Sequence, residues 1–266
     1  MRVLSILLLC GLAALSARAD EDALSPAERI LLIQQAISGD LQAAAELDAD
    51  GETSRWDLLL RGYALQAADR PNEAVAAWEE SAQRGLRLAV RALAVHHYER
   101  RNWMESYAWA RLAMEVDAAL KDGDLGALRG GWALYTALRS AEALDEEKHD
   151  AADARASERV QQYLARLISP EDVGSQSGTA TEDLEVVRRT PPDYPRAMAE
   201  NGMPGWVYLQ FEILPNGRVG EVAAVGASHQ RFARAAVRAI RKWRFDTDAM
   251  ETVPAIASQQ IDFTMP

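Results

Sequence analysis

The sequence predicts an α+β protein: an all-α N-terminal region built from helical repeats, then a small two-layer α/β sandwich with an antiparallel sheet. Three observations predict it. From about Leu24 to Ser169 the chain is rich in Ala, Leu, Glu and Arg, and its apolar residues recur at three- and four-residue steps. Later the period becomes two: Val207, Leu209, Phe211 and Ile213 alternate with Tyr208, Gln210 and Glu212, as in a half-buried strand. Between the two stretches, residues 169–181 are small, polar and almost free of apolar side chains, the composition of a flexible linker.

Composition and charge support a division into two units. The 266 residues are 48% apolar and 26% charged, as in a soluble globular protein of one large or two modest domains. The net charge of −11 disfavours nonspecific binding to nucleic acid or to anionic membranes. Residues 186–266 carry ten basic against eight acidic side chains, a net of +2, so residues 1–185 carry −13. The two parts present different surfaces.

The chain opens with a secretory signal. Arg2 is the positive start, residues 3–15 are a short apolar run, and Ala17-Arg18-Ala19 is a small-x-small cleavage site. The run is shorter than the roughly 20 residues of a membrane-spanning helix. Cleavage is expected before Asp20; only a retained segment would tie the chain to a membrane. Cys10, the single cysteine, lies in the run. Lipid attachment there needs a small residue before it, and Leu9 occupies that place. Without Cys10 the chain holds no thiol, and so no disulfide or thiolate metal site.

The helical region, 20–168, has clear punctuation. Ser25-Pro26-Ala27-Glu28 is a helix start, with Ser as cap, Pro in the first turn and an acid following. Arg70-Pro71-Asn72-Glu73 is a turn and a second start, and Arg84-Gly85 a stop. Asp122-Gly123-Asp124 and Gly130-Gly131 mark a further break, and a last helix runs from about Ala151 to Ile168. Residues 73–82 overlay residues 104–113 with a displacement of 31, both containing Trp-x-x-x-Ala, after helices carrying Tyr63 and Tyr98. Over about Trp56 to Val116 this arrangement resembles the helix-turn-helix repeats of the tetratricopeptide superfamily. The resemblance implies stacked helix pairs sharing one core, with a concave face that binds peptides or proteins.

No chemistry-bearing constellation is patterned. Trp78, Trp103, Trp109 and Trp132 fall at helical positions and are expected in the core. His96 and His97 are adjacent, so on a helix they point about 100° apart and cannot chelate one metal. His149 and His229 lack a spaced Cys or His. Glu146-Glu147-Lys148-His149-Asp150 is expected to be a solvated face. There is no Gly-x-Ser-x-Gly, no His-Glu-x-x-His and no phosphate loop. The expectation is a binding protein, not an enzyme, with neither metal nor cofactor.

In 186–266 the local reading is strand or coil, short helix, hairpin, helix, strand. Tyr194-Pro195 leads into a helix over Arg196–Glu200, stopped at Asn201-Gly202. Pro215-Asn216-Gly217 supplies the hairpin turn, and the second strand runs from about Arg218 to Val225. The helix from about Gln230 to Trp243 is two-faced. Phe232, Ala235, Ala236, Ala239, Ile240 and Trp243 form the sheet-facing stripe, and Arg231, Arg234, Arg238 and Arg241 the other. The arginines read as a solvated face, or as a contact for anionic envelope polymer or lipid headgroups. In the last strand, about Ala257 to Met265, Ile261, Phe263 and Met265 point one way and Gln260, Asp262 and Thr264 the other.

Tyr194-Pro195 with Ala197, the strand-Pro-x-Gly-x-Val hairpin and the helix ending Trp243-Arg244-Phe245 resemble, in order, the C-terminal domain of the TonB family over nearly all of 186–266. The resemblance implies a Gram-negative cell envelope and a periplasmic, non-catalytic module that binds partners by β-strand addition. An open strand edge offers unpaired N–H and C=O groups to an extended segment. Carried over, the docking strand comprises Ser258, Gln259, Gln260, Ile261, Asp262, Phe263 and Thr264, with the segment from Arg189 to Tyr194 near the bound peptide. Three departures stand out. No histidine precedes His96, whereas the family's transducers use one in their membrane anchor. A helical region replaces their Pro-rich spacer. Pro191 occupies a position where many members have Gln. The expected function is therefore a periplasmic protein-interaction adaptor. The alternative is an energy transducer for TonB-dependent outer-membrane transport, held at the periplasmic side of the inner membrane. Expected partners are envelope proteins, among them outer-membrane TonB-dependent receptors, or a second copy of the C-terminal domain.

Overall fold

The computed structural model describes residues 24–47, 53–120, 131–169, 185–248 and 254–264. The expected signal segment with Cys10, the Asp122-Gly123-Asp124 break, most of the expected linker and Met265 lie outside the described residues.

Local chemistry explains the helix starts. Ser25 Oγ accepts from Glu28 N while Ser25 N donates to Glu28 Oε2, a reciprocal cap that opens α1 (Pro26–Ile37). Asp40 caps α2 (Leu41–Glu46), and Ser54 with Asp57 repeats the reciprocal cap at α3 (Arg55–Ala67). Then follow α4 (Pro71–Gln83), α5 (Arg87–Glu99), α6 (Trp103–Leu120), α7 (Trp132–Glu142) and α8 (His149–Leu167). Residues 146–150, expected as a solvated stretch, are exposed, but they already turn: a 3-10 turn over Glu146–Lys148 leads into α8.

Helices α3 to α6 form two helix-turn-helix units. The starts of α5 and α6 lie 32 residues after those of α3 and α4. Asp69 and Arg101, also 32 apart, hold the same positive φ, 57° and 58°, in matching turns. The tryptophans, however, are 31 apart, so Trp78 and Trp109 are not structurally equivalent. One residue on a helix is about 100° of rotation, and the two rings consequently do different work. Trp78 lies over Gly62 of α3, where a Cβ would come within 2.2 Å of its Nε1, and donates to Leu59 O at 3.1 Å. Trp109 faces α8 instead, 5.2 Å from the Tyr163 ring.

His96 is buried behind Trp78; its Nδ1 donates to Gln66 Oε1 at 3.0 Å. Burial, with the neighbouring His97 and Arg100 charges, pushes its pKa down to about 4. The folded value lies below the unfolded one near 6.5, so the neutral ring's stabilisation is complete above pH 6.5 and is lost as pH falls towards 4. The urea midpoint of the wild type should fall more across that window than that of His96→Gln. Parallel curves for the two proteins would refute this.

The C-terminal part begins with β1 (Val186–Arg188) and the short α9 (Arg196–Glu200). It continues with β2 (Gly205–Ile213), β3 (Val219–Ala227), α10 (Gln230–Ile240), β4 (Arg244–Phe245) and β5 (Ala255–Phe263). β1 pairs with β4, and the main sheet is antiparallel in the order β3-β2-β5. Gly217, with φ of 70°, closes the β2–β3 hairpin against Phe245 O, at a point where a Cβ would lie 2.2 Å from that oxygen.

The sheet carries a core on each face. Val207, Leu209, Phe211 and Ile213 pack with Phe232, Ala236 and Ile240 of α10. Trp206, Tyr208, Ala223 and Val225 belong to the core of the helical region. Trp206 meets Trp132 at 5.8 Å, Tyr208 meets Trp56 at 5.4 Å, and α1 lies over β3 and β2, with Gln34 Nε2 donating to Val222 O at 3.0 Å. The expectation of a half-buried β2 is thereby corrected: all nine of its residues are buried. The alternating residues that look outward in the sequence are covered by a second layer of helices, as in sheets packed on both faces.

Candidate functional site

The strand order leaves β5 at an edge. It pairs with β2 along its whole length, from Gly205↔Phe263 to Ile213↔Ala255, and with no other strand among the described residues. Directly opposed residues share a face. Ser258, Gln260 and Asp262 therefore lie on the helical-region face beside Gln210, Tyr208 and Trp206, and Ala257, Ile261 and Phe263 lie on the α10 face.

The residues expected in the docking strand divide accordingly. Ile261 and Phe263 are buried in the α10 core and can offer only backbone to a partner. Ser258, Gln259 and Gln260 are half-buried, and Asp262 and Thr264 are exposed. Gln259 Nε2 donates to Gln260 O at 2.6 Å, and Gln260 Nε2 donates to both Asp262 oxygens at 3.0 and 3.1 Å.

Of the two flanking residues, one is brought to this strand. Tyr194 packs edge-on against Phe263 and Phe232, each at 5.7 Å, and its hydroxyl donates to Met203 O at 2.7 Å. Burial raises its pKa. Arg189 instead lies over the Trp243 ring at 4.8 Å, and Trp243 Nε1 donates to Thr190 O at 2.8 Å. The Arg189–Tyr194 segment thus meets the end of β5 through Tyr194 and is tied to Trp243 at its start.

The second wall of the site was not visible in the sequence. β5 is flanked by a groove of about 260 Å³ whose other side is α5 and α6, with Arg91 and Asp117 facing Gln260 and Asp262. An adjoining cavity shares Arg91, Asp117 and Asp262 and continues past Gly205, Phe263 and Thr264 to Trp132. Arg91 Nη2 donates to both Asp117 oxygens at 3.3 and 3.4 Å, and Nη1 lies 3.8 Å from Asp262. The only sequence signal for this wall would have been two opposite charges 26 residues apart on different helices, which no local pattern links to a strand some 150 residues on.

Arg231, Arg234 and Arg238 on α10 and Arg241 at its C-cap are exposed, and none forms an ion pair among the described residues. His229 caps the helix, its Nδ1 accepting from Arg231 N at 3.0 Å; burial and the Arg231 charge lower its pKa. Changing Arg234 and Arg238 together to Glu should move stability by no more than about 0.5 kcal/mol in urea denaturation, as for solvated surface positions. A larger loss would mean that the stripe packs on something. Among the described residues no group of three or more His, Cys, Asp or Glu could hold a metal ion. No helix there is long and apolar enough to cross a membrane.

A comparison with curated proteins returned no match. Residues 190–265, which contain the hairpin, α10 and the open-edged β5, match the family model of the Gram-negative bacterial TonB protein C-terminal, so the chain carries a TonB_C-like fold at its C-terminus behind an all-helical region.

Proposed function

We propose that the C-terminal module docks an extended segment of an outer-membrane receptor by β-strand addition at the open edge of β5, and that the protein serves TonB-dependent transport across the envelope. The observation that carries this is that, among the described residues, β5 is an edge strand paired only with β2, within the segment matching the TonB C-terminal family. Backbone groups along Ser258–Thr264 supply the affinity, because Ile261 and Phe263 are committed to the core. Tyr194 holds the end of the strand in place through Phe263. The expected compartment is the periplasm, with the docking face free of the membrane.

The second reading, an adaptor without motor coupling, is favoured by the helical layer packed on the sheet. Where a long spacer would let the module travel, here the module shares a core with repeat-like helix pairs that present a second protein-binding face.

The test is a periplasm-facing receptor peptide titrated into the full chain. Strand addition uses every second N–H of the ligand. N-methylation in one phase of the peptide should abolish binding, and N-methylation in the other phase should leave the affinity within a few-fold. Equal affinity for the two methylated series would overturn docking by backbone pairing.

A further inference from the structure

The groove between β5 and the helical region is the feature that the TonB-like fold does not account for, since one wall comes from helices outside it. A strand added to β5 would lie about 4.8 Å beyond it and would alternate its side chains between the two faces. Those opposite Gln260 and Asp262 share their face and therefore enter the groove. There they meet a mixed wall in which Leu88, Val90, Val116 and Leu120 stand beside Arg87, Arg91 and Asp117.

Arg91 is built to receive an acceptor. Its side chain is only 14% exposed, and its guanidinium is held 5.6 Å over the Trp206 ring. Nη2 is occupied by the long bonds to Asp117, whereas Nη1 makes no hydrogen bond among the described residues and is only 3.8 Å from Asp262. Asp262 is 54% exposed and already accepts from Gln260, so it can turn to water when another carboxylate arrives. The methylenes of a glutamate fit the apolar part of that wall, and its carboxylate can pair with Nη1 in the partly dried groove, where charged hydrogen bonds are strong.

We propose that Arg91 is a specificity residue of the docking site: the helical region forms the second wall of the peptide groove and selects a partner strand bearing an acidic side chain beside Gln260–Asp262. This rests on strand addition at β5, and the experiment separates the two ideas. The probes are a nine-residue peptide of alternating Val and Thr with a central Glu, and the same peptide with Gln in its place. Each is titrated into the full chain and into Arg91→Met and Arg91→Lys, with thermal melts confirming that the variants fold.

The expected result is that wild type prefers the Glu peptide about tenfold, that Arg91→Met removes the preference while leaving Gln-peptide affinity unchanged, and that Arg91→Lys retains part of it. Equal losses for both peptides would show that Arg91 only supports the fold and would overturn the inference while leaving strand addition intact. Binding that keeps its affinity and Glu preference under N-methylation in each of the two phases would overturn strand addition, and the inference with it. Absence of binding at millimolar peptide, or a β5-mediated dimer of the chain that neither peptide displaces, would also overturn it.

Discussion

Arg159→Ala is expected to cost about 3–5 kcal/mol of stability, the range for removing one partner from a buried ionic cluster. Arg159 lies on α8 and is 8% exposed. Its Nη2 is 3.0 Å from Glu105 Oε2 on α6 and 3.2 Å from Glu79 Oε1 on α4, and its guanidinium lies 4.3 Å over the Trp109 ring. One planar group thus pins three helices and covers an aromatic face, which a lysine ammonium cannot do equally well. Burial pushes the Glu105 carboxyl up, but hydrogen bonds from Arg155 and Arg159 outweigh it and hold the group below its usual range. Removing Arg159 leaves Glu105 with Arg155 alone, at 2.7 Å, and Glu79 without its cation.

Urea denaturation gives the measurement, and Arg159→Met combined with Glu105→Gln is the control. That pair removes charge on both sides and should recover much of the loss. A cost for Arg159→Ala below about 1 kcal/mol would place the cluster among solvated surface pairs.

Trp206→Ala has an effect of similar size but a different character. The ring is fully buried where the sheet meets the helical region, near Trp132 and Arg91, and Gly226 passes beneath it: a Cβ there would be 3.2 Å from the ring. The expected cost is about 3–5 kcal/mol from lost burial and the cavity left behind. Phe211→Ala, on the α10 face, should cost a comparable amount. Only Trp206→Ala should weaken the joint between the two parts. In urea, followed by fluorescence and by far-ultraviolet circular dichroism, the wild type and Phe211→Ala are expected to unfold in one transition and Trp206→Ala in two. A single transition in both variants would mean that other contacts, Tyr208 with Trp56 among them, suffice to couple the parts.

Much of the C-terminal module was legible in the sequence. The Pro215-Asn216-Gly217 turn, the Phe232 to Ile240 stripe of α10 and the edge position of the last strand are local patterns or follow from the family resemblance. In the turn and the stripe neighbours in sequence are neighbours in space, whereas the edge position came from the resemblance alone, since β5 pairs with the distant β2. The ends of β5 moved by two residues, to Ala255–Phe263, and α10 stopped at Ile240, the ordinary uncertainty of element boundaries. The Trp-x-x-x-Ala overlay was displaced by one residue from the structural repeat, because matching tryptophans outweighed the turns that set the true spacing. The turns, with positive φ at Asp69 and Arg101, carried the better signal: Asp is among the residue types enriched in that conformation, but Arg is not.

The sequence by itself determined which segments are helix and which are strand, the caps and turns that bound them, and the TonB-like order of the last part, because these depend on periodicity and on backbone chemistry within a few residues. Only the tertiary structure decided that both faces of the sheet are covered, that Arg159 joins three helices, and that Arg91 and Asp117 stand across a groove from Gln260 and Asp262. The outward-looking face of β2 did hold a trace of this: Trp206 and Tyr208 are large amphipathic rings where a solvated face needs none. Which surface covers them depends on contacts between residues far apart in the chain, Trp132 with Trp206 and Trp56 with Tyr208. Those contacts are chosen by the shape and burial of whole layers, and periodicity within one strand carries no record of what packs on it.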